Sequence, residues 1–299
     1  MTNSAHRAGV RIVSDNGTPV RPVDPGETAW GSGHGLWLTI AMPAYNEAAT
    51  IRTAVNEVLS AAYPCPVELI VVDDGSTDGT AQALSTISDP RLRVLRHQVN
   101  RGKGAALRTA IQAARGNYLL PFDADLEYRA EDISQVLAPV VSGVATVVYG
   151  PRLFGWNTVY QSFRYKIGNL ATTLAANVLY DSALSDMHTC IKLVPLPLLR
   201  QMSLSEAGFG LDTEITAKVL RSGHRPFEVP VHYYSRTHGQ GKKINWRDGV
   251  RCLVVLARVR FAAAPPRAER PIALRMEPPE AIRRESTEPP AAFPQALAD

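Results

Sequence analysis

Cysteine is scarce: Cys65, Cys190 and Cys252 are the only three in 299 residues, far apart and without a Cys-x-x-Cys pair. That excludes a disulfide framework and a zinc knuckle and fits a reducing compartment. Long apolar runs are also missing. Residues 1–30 contain no signal-peptide-like core, and the longest apolar stretch near the C-terminus, residues 252–257, falls far short of the ~20 residues that cross a bilayer. The expected setting is cytoplasmic, with any membrane contact peripheral, at the inner face of the plasma membrane. There is no internal repeat and no strong net charge; the total of +4 is too small to name a partner.

Position carries more than the total. Residues 235–260 hold seven basic side chains and one acid, a net +6 against −2 for the rest of the chain. Of 22 prolines, three precede Leu36 and eight lie from Pro265 onward, in ends without apolar periodicity. Residues 1–35 and 262–299 therefore read as disordered tails, the second Pro-rich, around one folded domain at 36–261.

Short β-rich runs at residues 37–42, 68–73, 92–95, 118–123 and 145–149 alternate with helical spacings such as Ile51, Val55 and Val58, or Ala106, Ile111 and Ala114. This order predicts an α/β fold, a mostly parallel central sheet with helices on both faces. The second half is less regular: residues 161–180 read as helix, 189–194 and 227–234 as strands, and 246–261 as a terminal amphipathic helix. In such sheets ligands bind beyond the carboxyl ends of the strands. The first five polar motifs fall at such ends.

The first strand runs into Met42-Pro43-Ala44-Tyr45-Asn46-Glu47. This is either a proline turn with a helix cap or a loop in which Tyr45 offers a flat face to a base and Glu47 accepts from a hydroxyl. The second strand, apolar as one buried on both faces should be, stops at Asp73-Asp74 followed by Gly75-Ser76-Thr77-Asp78-Gly79-Thr80. Turn and cap chemistry accounts for Gly75, Ser76 and Asp78 but not for two adjacent acids, and Asp74 is placed to accept a nucleobase N–H. Asn100-Arg101-Gly102-Lys103-Gly104 reads as a phosphate loop opening a helix, with Lys103 as the contact, or as close packing at that helix start. It is not a Walker motif.

The fourth strand ends in Pro121-Phe122-Asp123-Ala124-Asp125-Leu126-Glu127. Carboxylates two apart on an extended chain share a face and repel unless a cation lies between them. Oxygen-only ligation suits Mg2+ or Mn2+ bridging to a diphosphate. Gly150-Pro151-Arg152 brings a guanidinium to the same edge, suited to a phosphate or to a surface ion pair. Asp212 and Glu214 sit at a helix start, where the dipole favours acids regardless of function, and one of them is a candidate for acceptor contact or for the base. His188 and Cys190 lack the partner pair a metal site needs. The segment from Arg236 to Lys242 and Lys243 is a glycine-jointed basic loop, read as a lid over phosphates. With no aromatic platform beyond Trp246 and an acidic body, nucleic acid is not the expected partner.

In this order the motifs resemble the family 2 glycosyltransferases of the GT-A fold, nearest the polyprenyl-phosphate (dolichol-phosphate mannose or glucose) synthases, over residues 38–261. The resemblance implies that Pro43, Tyr45, Glu47, Val72 and Asp74 line the nucleotide pocket. It implies that Asp123, Ala124 and Asp125 hold metal and diphosphate with Glu127 as a further ligand, and that Arg152, Arg236 and Lys242 bind donor or acceptor phosphates. Asp186 and the Asp212/Glu214 pair match acidic positions near the acceptor. The expected reaction is metal-dependent, inverting transfer of one sugar from a GDP- or UDP-sugar to a polyprenyl phosphate, with Asp123, Asp125, Arg152 and Asp212 as the catalytic set.

Two departures stand out. The Gln-x-x-Arg-Trp signature of processive synthases is absent, and a Pro-rich tail stands where many members carry C-terminal membrane helices. A hydroxyl acceptor, or a non-catalytic nucleotide-sugar-binding protein, remains the alternative. A nucleotidyltransferase would bring a glycine-rich loop directly after the first strand, where this chain has Pro-Ala-Tyr-Asn-Glu. In helix 246–261, Arg247, Arg251 and Arg258 flank Val250, Leu253, Val254 and Phe261. That pattern reads either as an interfacial anchor or as a helix packed on the domain with a charged outer face.

Overall fold

Apolar β-formers separated by helical spacings give alternating elements in the computed structural model, which describes residues 35–152, 158–159, 163–208, 210–235 and 246–262. The first half runs β1 (Leu38–Ala44), α1 (Ile51–Ser60), β2 (Val67–Asp73), α2 (Thr80–Ser85), β3 (Leu92–Arg96), α3 (Lys103–Ala113), β4 (Tyr118–Pro121) and α4 (Asp132–Val141). The second runs β5 (Val148–Tyr149), β6 (Thr158–Val159), α5 (Phe163–Tyr180), β7 (Lys192–Pro195), α6 (Leu196–Gln201), α7 (Gly210–Arg221), β8 (Phe227–Glu228), β9 (Tyr233–Tyr234) and α8 (Trp246–Phe261).

Seven strands form one sheet in the order β3-β2-β1-β4-β7-β5-β8, and β6 with β9 makes a separate parallel pair. β1 pairs in parallel with β2 and β4, β2 with β3, and β5 with β8, while β7 runs antiparallel to both β4 and β5. The chain winds outward from β1 to β3 and then returns to place β4 on the other side of β1. Where the winding reverses, the carboxyl ends of β1 and β4 bound a crevice.

The pleat sorts the core into two layers. Leu38, Ile40 and Met42 face α1, α2 and α4, whereas Ala41, Ile70 and Val72 face α3, α5, α6, α7 and α8. Such alternation with both faces apolar is what a sheet covered on two sides requires. The structure also departs from the sequence reading. β4 stops at Pro121, so the acidic motif leaves the ladder at once and forms a turn rather than an extended strand end. Residues 227–234 split into β8 and β9 in different sheets, with Pro230, which has no N–H for a ladder, between them. α4, which contains Pro139, was not expected.

All three cysteines are free. No helix among the described residues is long and apolar enough to cross a membrane. α8 packs on the domain through Cys252, Val255, Leu256 and Val259, which are buried, while Val250, Leu253, Val254 and Phe261 are exposed. Arg251 and Arg258 both reach the buried Glu206 carboxylate at 2.8 Å.

At the end of the sheet away from the crevice, buried Glu68 accepts from the Thr39 hydroxyl at 2.7 Å, from Arg93 at 3.0 Å and from the backbone N–H groups of Arg115 and Gly116. It ties β2 to β1 and to the entry of β4. Removing it strands several buried donors, so Glu68→Ala should cost about 3 kcal/mol of folding stability. Urea denaturation against wild type measures that loss directly.

Candidate active site

The site is built from strand ends and helix starts. Beyond β1, Asn46 takes a left-handed φ of 55°, which Asn tolerates through its short side chain. Its backbone N–H donates to Ser76 Oγ at 3.0 Å, its side-chain oxygen accepts from Thr77 N–H at 2.9 Å, and Glu47 N–H donates to Thr80 Oγ1 at 2.9 Å. The first two strand-end loops are thereby joined. Pro43, Tyr45 and Glu47 are all half-buried on this edge, and Glu47 accepts from the Thr50 hydroxyl at 2.9 Å.

Asp74 has a different task from the one expected of it. Its carboxylate is buried, and Oδ1 accepts from Arg101 N–H at 3.0 Å and meets His97 Nδ1 at 2.6 Å, while Oδ2 accepts from Gly102 N–H at 2.7 Å. Asp74 is therefore the anion inside the loop that resembled a phosphate cradle, and it is not presented to a nucleobase. The Gly104 amide is also taken: its N–H donates to Ala207 O at 2.7 Å. Close packing explains the glycines. A Cβ at Gly104 would stand 2.5 Å from Glu206 O, and one at Gly102, where φ is 92°, would stand 2.5 Å from Ala207 O. The side chain of Val72 differs from the expectation, because it is buried in one core layer instead of lining a pocket, and the Ala124 side chain, in the turn expected to hold metal and diphosphate, is buried in the other.

What this loop presents is Lys103. Its ammonium lies 2.9 Å from both carboxylate oxygens of Asp123 and 3.7 Å from Asp212 Oδ2. Burial would lower the pKa of Lys103, but Asp123 and Asp212 outweigh it and hold it well above its ordinary range. Beneath Asp212, the fully buried Lys192 donates to Thr189 O at 2.6 Å, lies 3.9 Å from Asp212 Oδ1, and sits over the Tyr149 ring at 5.4 Å. Here burial outweighs Asp212 and pulls the ammonium pKa down. For Asp212 burial is overcome by Lys103 and then Lys192, which lower its pKa and keep it ionised. Among the described residues its Oδ1 has no hydrogen-bond donor. A buried carboxylate with a cation near each oxygen and one oxygen lacking a donor has room for a further hydrogen bond. The sequence reading missed Lys192. Its signal is a lone charge inside the apolar run Cys190-Ile191-Lys192-Leu193-Val194.

Glu127 also departs from its expected role. Leu126 holds φ at 61°, a left-handed conformation costing a branched residue about 1 kcal/mol or more. The turn is held by Glu127 N–H donating to Asp125 Oδ1 at 3.1 Å and by the Tyr233 hydroxyl donating to Glu127 Oε2 at 2.7 Å. Glu127 is thus buried against Tyr233 instead of completing a set of three acids. Among the described residues no three His, Cys, Asp or Glu side chains form a ready-made metal cage. Asp123 and Asp125 are both partly exposed on one turn. That donor set fits Mg2+ or Mn2+, which take one or two carboxylates and complete their shell with water and phosphate oxygens.

Arg152 is paired within the protein. Its Nε and one terminal nitrogen reach the two oxygens of fully buried Asp186 at 2.7 and 3.0 Å, and its guanidinium stacks on Tyr233 at 4.9 Å. Asp186 also accepts from Asn169 Nδ2 at 2.8 Å and from His188 N–H at 3.0 Å. Burial would raise the Asp186 pKa, but Arg152 holds it well below the carboxylate range. The phosphate contact expected of Arg152 is replaced here by a bidentate internal pair. Glu214 is turned away from the crevice, accepting from Ser205 and Glu206 N–H groups and pairing with Lys218 at 2.7 Å. Arg236 and Lys242 lie outside the described residues.

Residues 39–193 match the family model for glycosyl transferase family 2. Over 212 residues the chain is 28% identical to glycosyltransferase AglJ of Haloferax volcanii, covering 70% of this chain and 67% of that protein. It is also 28% identical over 212 residues to dodecaprenyl-phosphate galacturonate synthase of Rhizobium johnstonii, covering 69% of this chain and 62% of that one. Across these and three further relatives the chain spans between 28% and 67% of their length. Mannosyl-3-phosphoglycerate synthase from Rubrobacter xylanophilus superposes with a TM-score of 0.58 at 20% identity, over 88% of this chain and 79% of that one. Glucosyl-3-phosphoglycerate synthase from Mycobacterium tuberculosis, solved with Mn2+, UDP and glucosyl-3-phosphoglycerate, gives 0.57 at 19% identity, over 76% and 80%. At such identities the likeness shows a shared fold, the GT-A architecture.

Burial pushes the His188 imidazole down to about 4 from its ordinary 6.5. Between those values the unfolded chain takes up a proton that the folded chain refuses. Stability should therefore fall as pH drops from about 6.5 toward 4, by up to about 3 kcal/mol from this residue. Urea denaturation of wild type and His188→Gln at neutral and mildly acidic pH checks this: the variant should lose less stability across the interval.

Proposed function

The chain belongs to glycosyl transferase family 2, and we propose that it transfers one sugar, with inversion, from a GDP- or UDP-sugar to a polyprenyl phosphate. The observation that carries this reading is the convergence of Asp123, Lys103 and Asp212 where the sheet order reverses. The donor class is supported by the structural likeness to a synthase solved with UDP and Mn2+. A lipid-phosphate acceptor is supported by the name of the Rhizobium relative. The transferase domain in this reading spans residues 36–261, works on the cytoplasmic side and touches the membrane peripherally through 246–261.

In the reaction, an acceptor oxygen attacks the anomeric carbon from the face opposite the diphosphate. The bond from that carbon to the diphosphate oxygen breaks, and its electron pair leaves with the nucleoside diphosphate. Asp123 and Asp125 would hold Mg2+ or Mn2+, which neutralises charge on the leaving group. Lys103 offers the same neutralisation from the protein side. Tyr45 and Glu47 frame the base and ribose, and Arg236 and Lys242 contact phosphates. Arg152 acts as a positioning residue through Asp186.

A hydroxyl acceptor would need a general base, best tuned near the working pH. Asp212 is pulled the other way by Lys103 and Lys192. A phosphate acceptor is already anionic and needs only placement, which favours the lipid phosphate over the hydroxyl.

Transfer of labelled sugar from GDP- and UDP-sugars to a short polyprenyl phosphate, with Mg2+ or Mn2+, tests the assignment. Asp125→Asn should lower the rate by about 100-fold and Lys242→Ala by about tenfold. Wild-type transfer by both variants would overturn the site. Transfer by the wild type to hydroxyl acceptors alone would establish the second reading.

A further inference from the structure

Four charges of alternating sign follow one another through the site. Asp123 meets Lys103 at 2.9 Å, Lys103 meets Asp212 at 3.7 Å, and Asp212 meets the fully buried Lys192 at 3.9 Å. Lys103 is seated unevenly between its two neighbours. Its ammonium lies 2.9 Å from both oxygens of Asp123 but 3.7 Å from the nearer oxygen of Asp212, so a swing of about 1 Å would bring Asp212 within hydrogen-bond range.

The backbone is not what would swing. On one side of Lys103, Gly102 N–H donates to Asp74 Oδ2 at 2.7 Å; on the other, Gly104 and Ala105 N–H groups donate to Ala207 O at 2.7 and 3.2 Å. With the chain clamped on both sides, the motion is left to the flexible four-carbon stem of the lysine. Asp212, on the first turn of α7, is the carboxylate within its reach.

The seat that Lys103 holds is also the one a divalent cation needs. Mg2+ binds carboxylate oxygens at about 2.1 Å, and an ammonium 2.9 Å from both oxygens of the same carboxylate would oppose it with like charge. Moving to Asp212 keeps the ammonium paired. It leaves the cation's two charges as an excess, however, because Asp123 and Asp212 already balance Lys103 and Lys192. A diphosphate arriving with the cation offsets that excess and gives the displaced ammonium a further anionic partner.

We propose, on the assignment of Asp123 and Asp125 to the cation and of a nucleotide-sugar as donor, that the Lys103 ammonium and the divalent cation exchange places on Asp123. Asp212 is the ammonium's second seat, and the cation and the donor diphosphate enter as a coupled pair. By linkage, each tightens the other's binding by the same factor.

The test is titration of the full chain with Mn2+, following the free ion by electron paramagnetic resonance, alone and with saturating UDP or GDP. In the wild type one of the nucleotides should tighten Mn2+ binding at least about tenfold. Lys103→Met should bind Mn2+ alone about tenfold more tightly than wild type, yet bind it like wild type with nucleotide, so that the nucleotide's effect shrinks. Asp212→Asn removes the second seat and should weaken Mn2+ binding about fivefold without nucleotide and less with it; it carries the test should Lys103→Met fail to melt like wild type. If nucleotide tightens Mn2+ binding in wild type and both variants by one common factor, the donor reading stands and the exchange is overturned, since the substitutions then act only as changes of nearby charge. If neither nucleotide alters Mn2+ binding by the wild type, the donor reading itself falls, and the exchange with it.

Discussion

The ammonium of Lys103 is the point on which the site turns. It sits between Asp123, from the turn after β4, and Asp212, from the first turn of α7, and so joins the two halves of the chain across the crevice. Without a cation there, two carboxylates would face each other in a partly buried space, and their repulsion would open the site. Everything that fixes Lys103 is therefore part of the site at one remove. Asp74 gathers the Arg101 and Gly102 amides, and Gly102 and Gly104 allow the start of α3 to close on the backbone of Glu206 and Ala207. On the proposed function, a donor diphosphate with its cation would enter a charge balance that the protein already holds close to neutral.

A second network lies behind the first. Asp186 pairs with Arg152 and also accepts from Asn169 on α5, while Thr172 of the same helix meets His188. This polar layer explains how α5 can turn its hydrogen-bonding side inward and leave apolar residues outside. Through Asn169, α5 also holds Asp186, the partner of Arg152, beside the strand end. Lys192, buried under Asp212, links the two networks electrostatically. A buried lysine without full pairing is costly, and after Lys103 it is the second cation that keeps Asp212 ionised.

Much of this was legible in the order of residues. The alternation of apolar runs with helical spacings specified the layered sheet, because burial on two faces leaves a period that water enforces. The motif ends at Tyr45, Glu47, Asp123 and Asp125 lie at the crevice for the same reason: strands buried in a sheet can place polar groups only where they end. Asp74, Val72, Glu127 and Arg152 were less readable. An acid at a strand end has the same sequence signature whether it points to a ligand or to its own loop amides. Val72 has the correct spacing for a pocket and for the core alike, and which face is covered depends on α3, placed by contacts far away in sequence.

By itself, then, the sequence determined the fold class, the edge of the sheet at which the polar motifs gather, and the family to which the motifs belong. These follow from local period and from residue order, and both are written along one dimension. Only the tertiary structure decided which carboxylates face the crevice and which are consumed internally, that Lys192 lies beneath Asp212, and that α5 turns its apolar side outward. Those outcomes depend on pairings between residues separated by tens of positions, such as Lys103 with Asp212 or Asn169 with Asp186. The energy of a charge or amide is set by the partner that folding brings to it, and no local pattern records that partner.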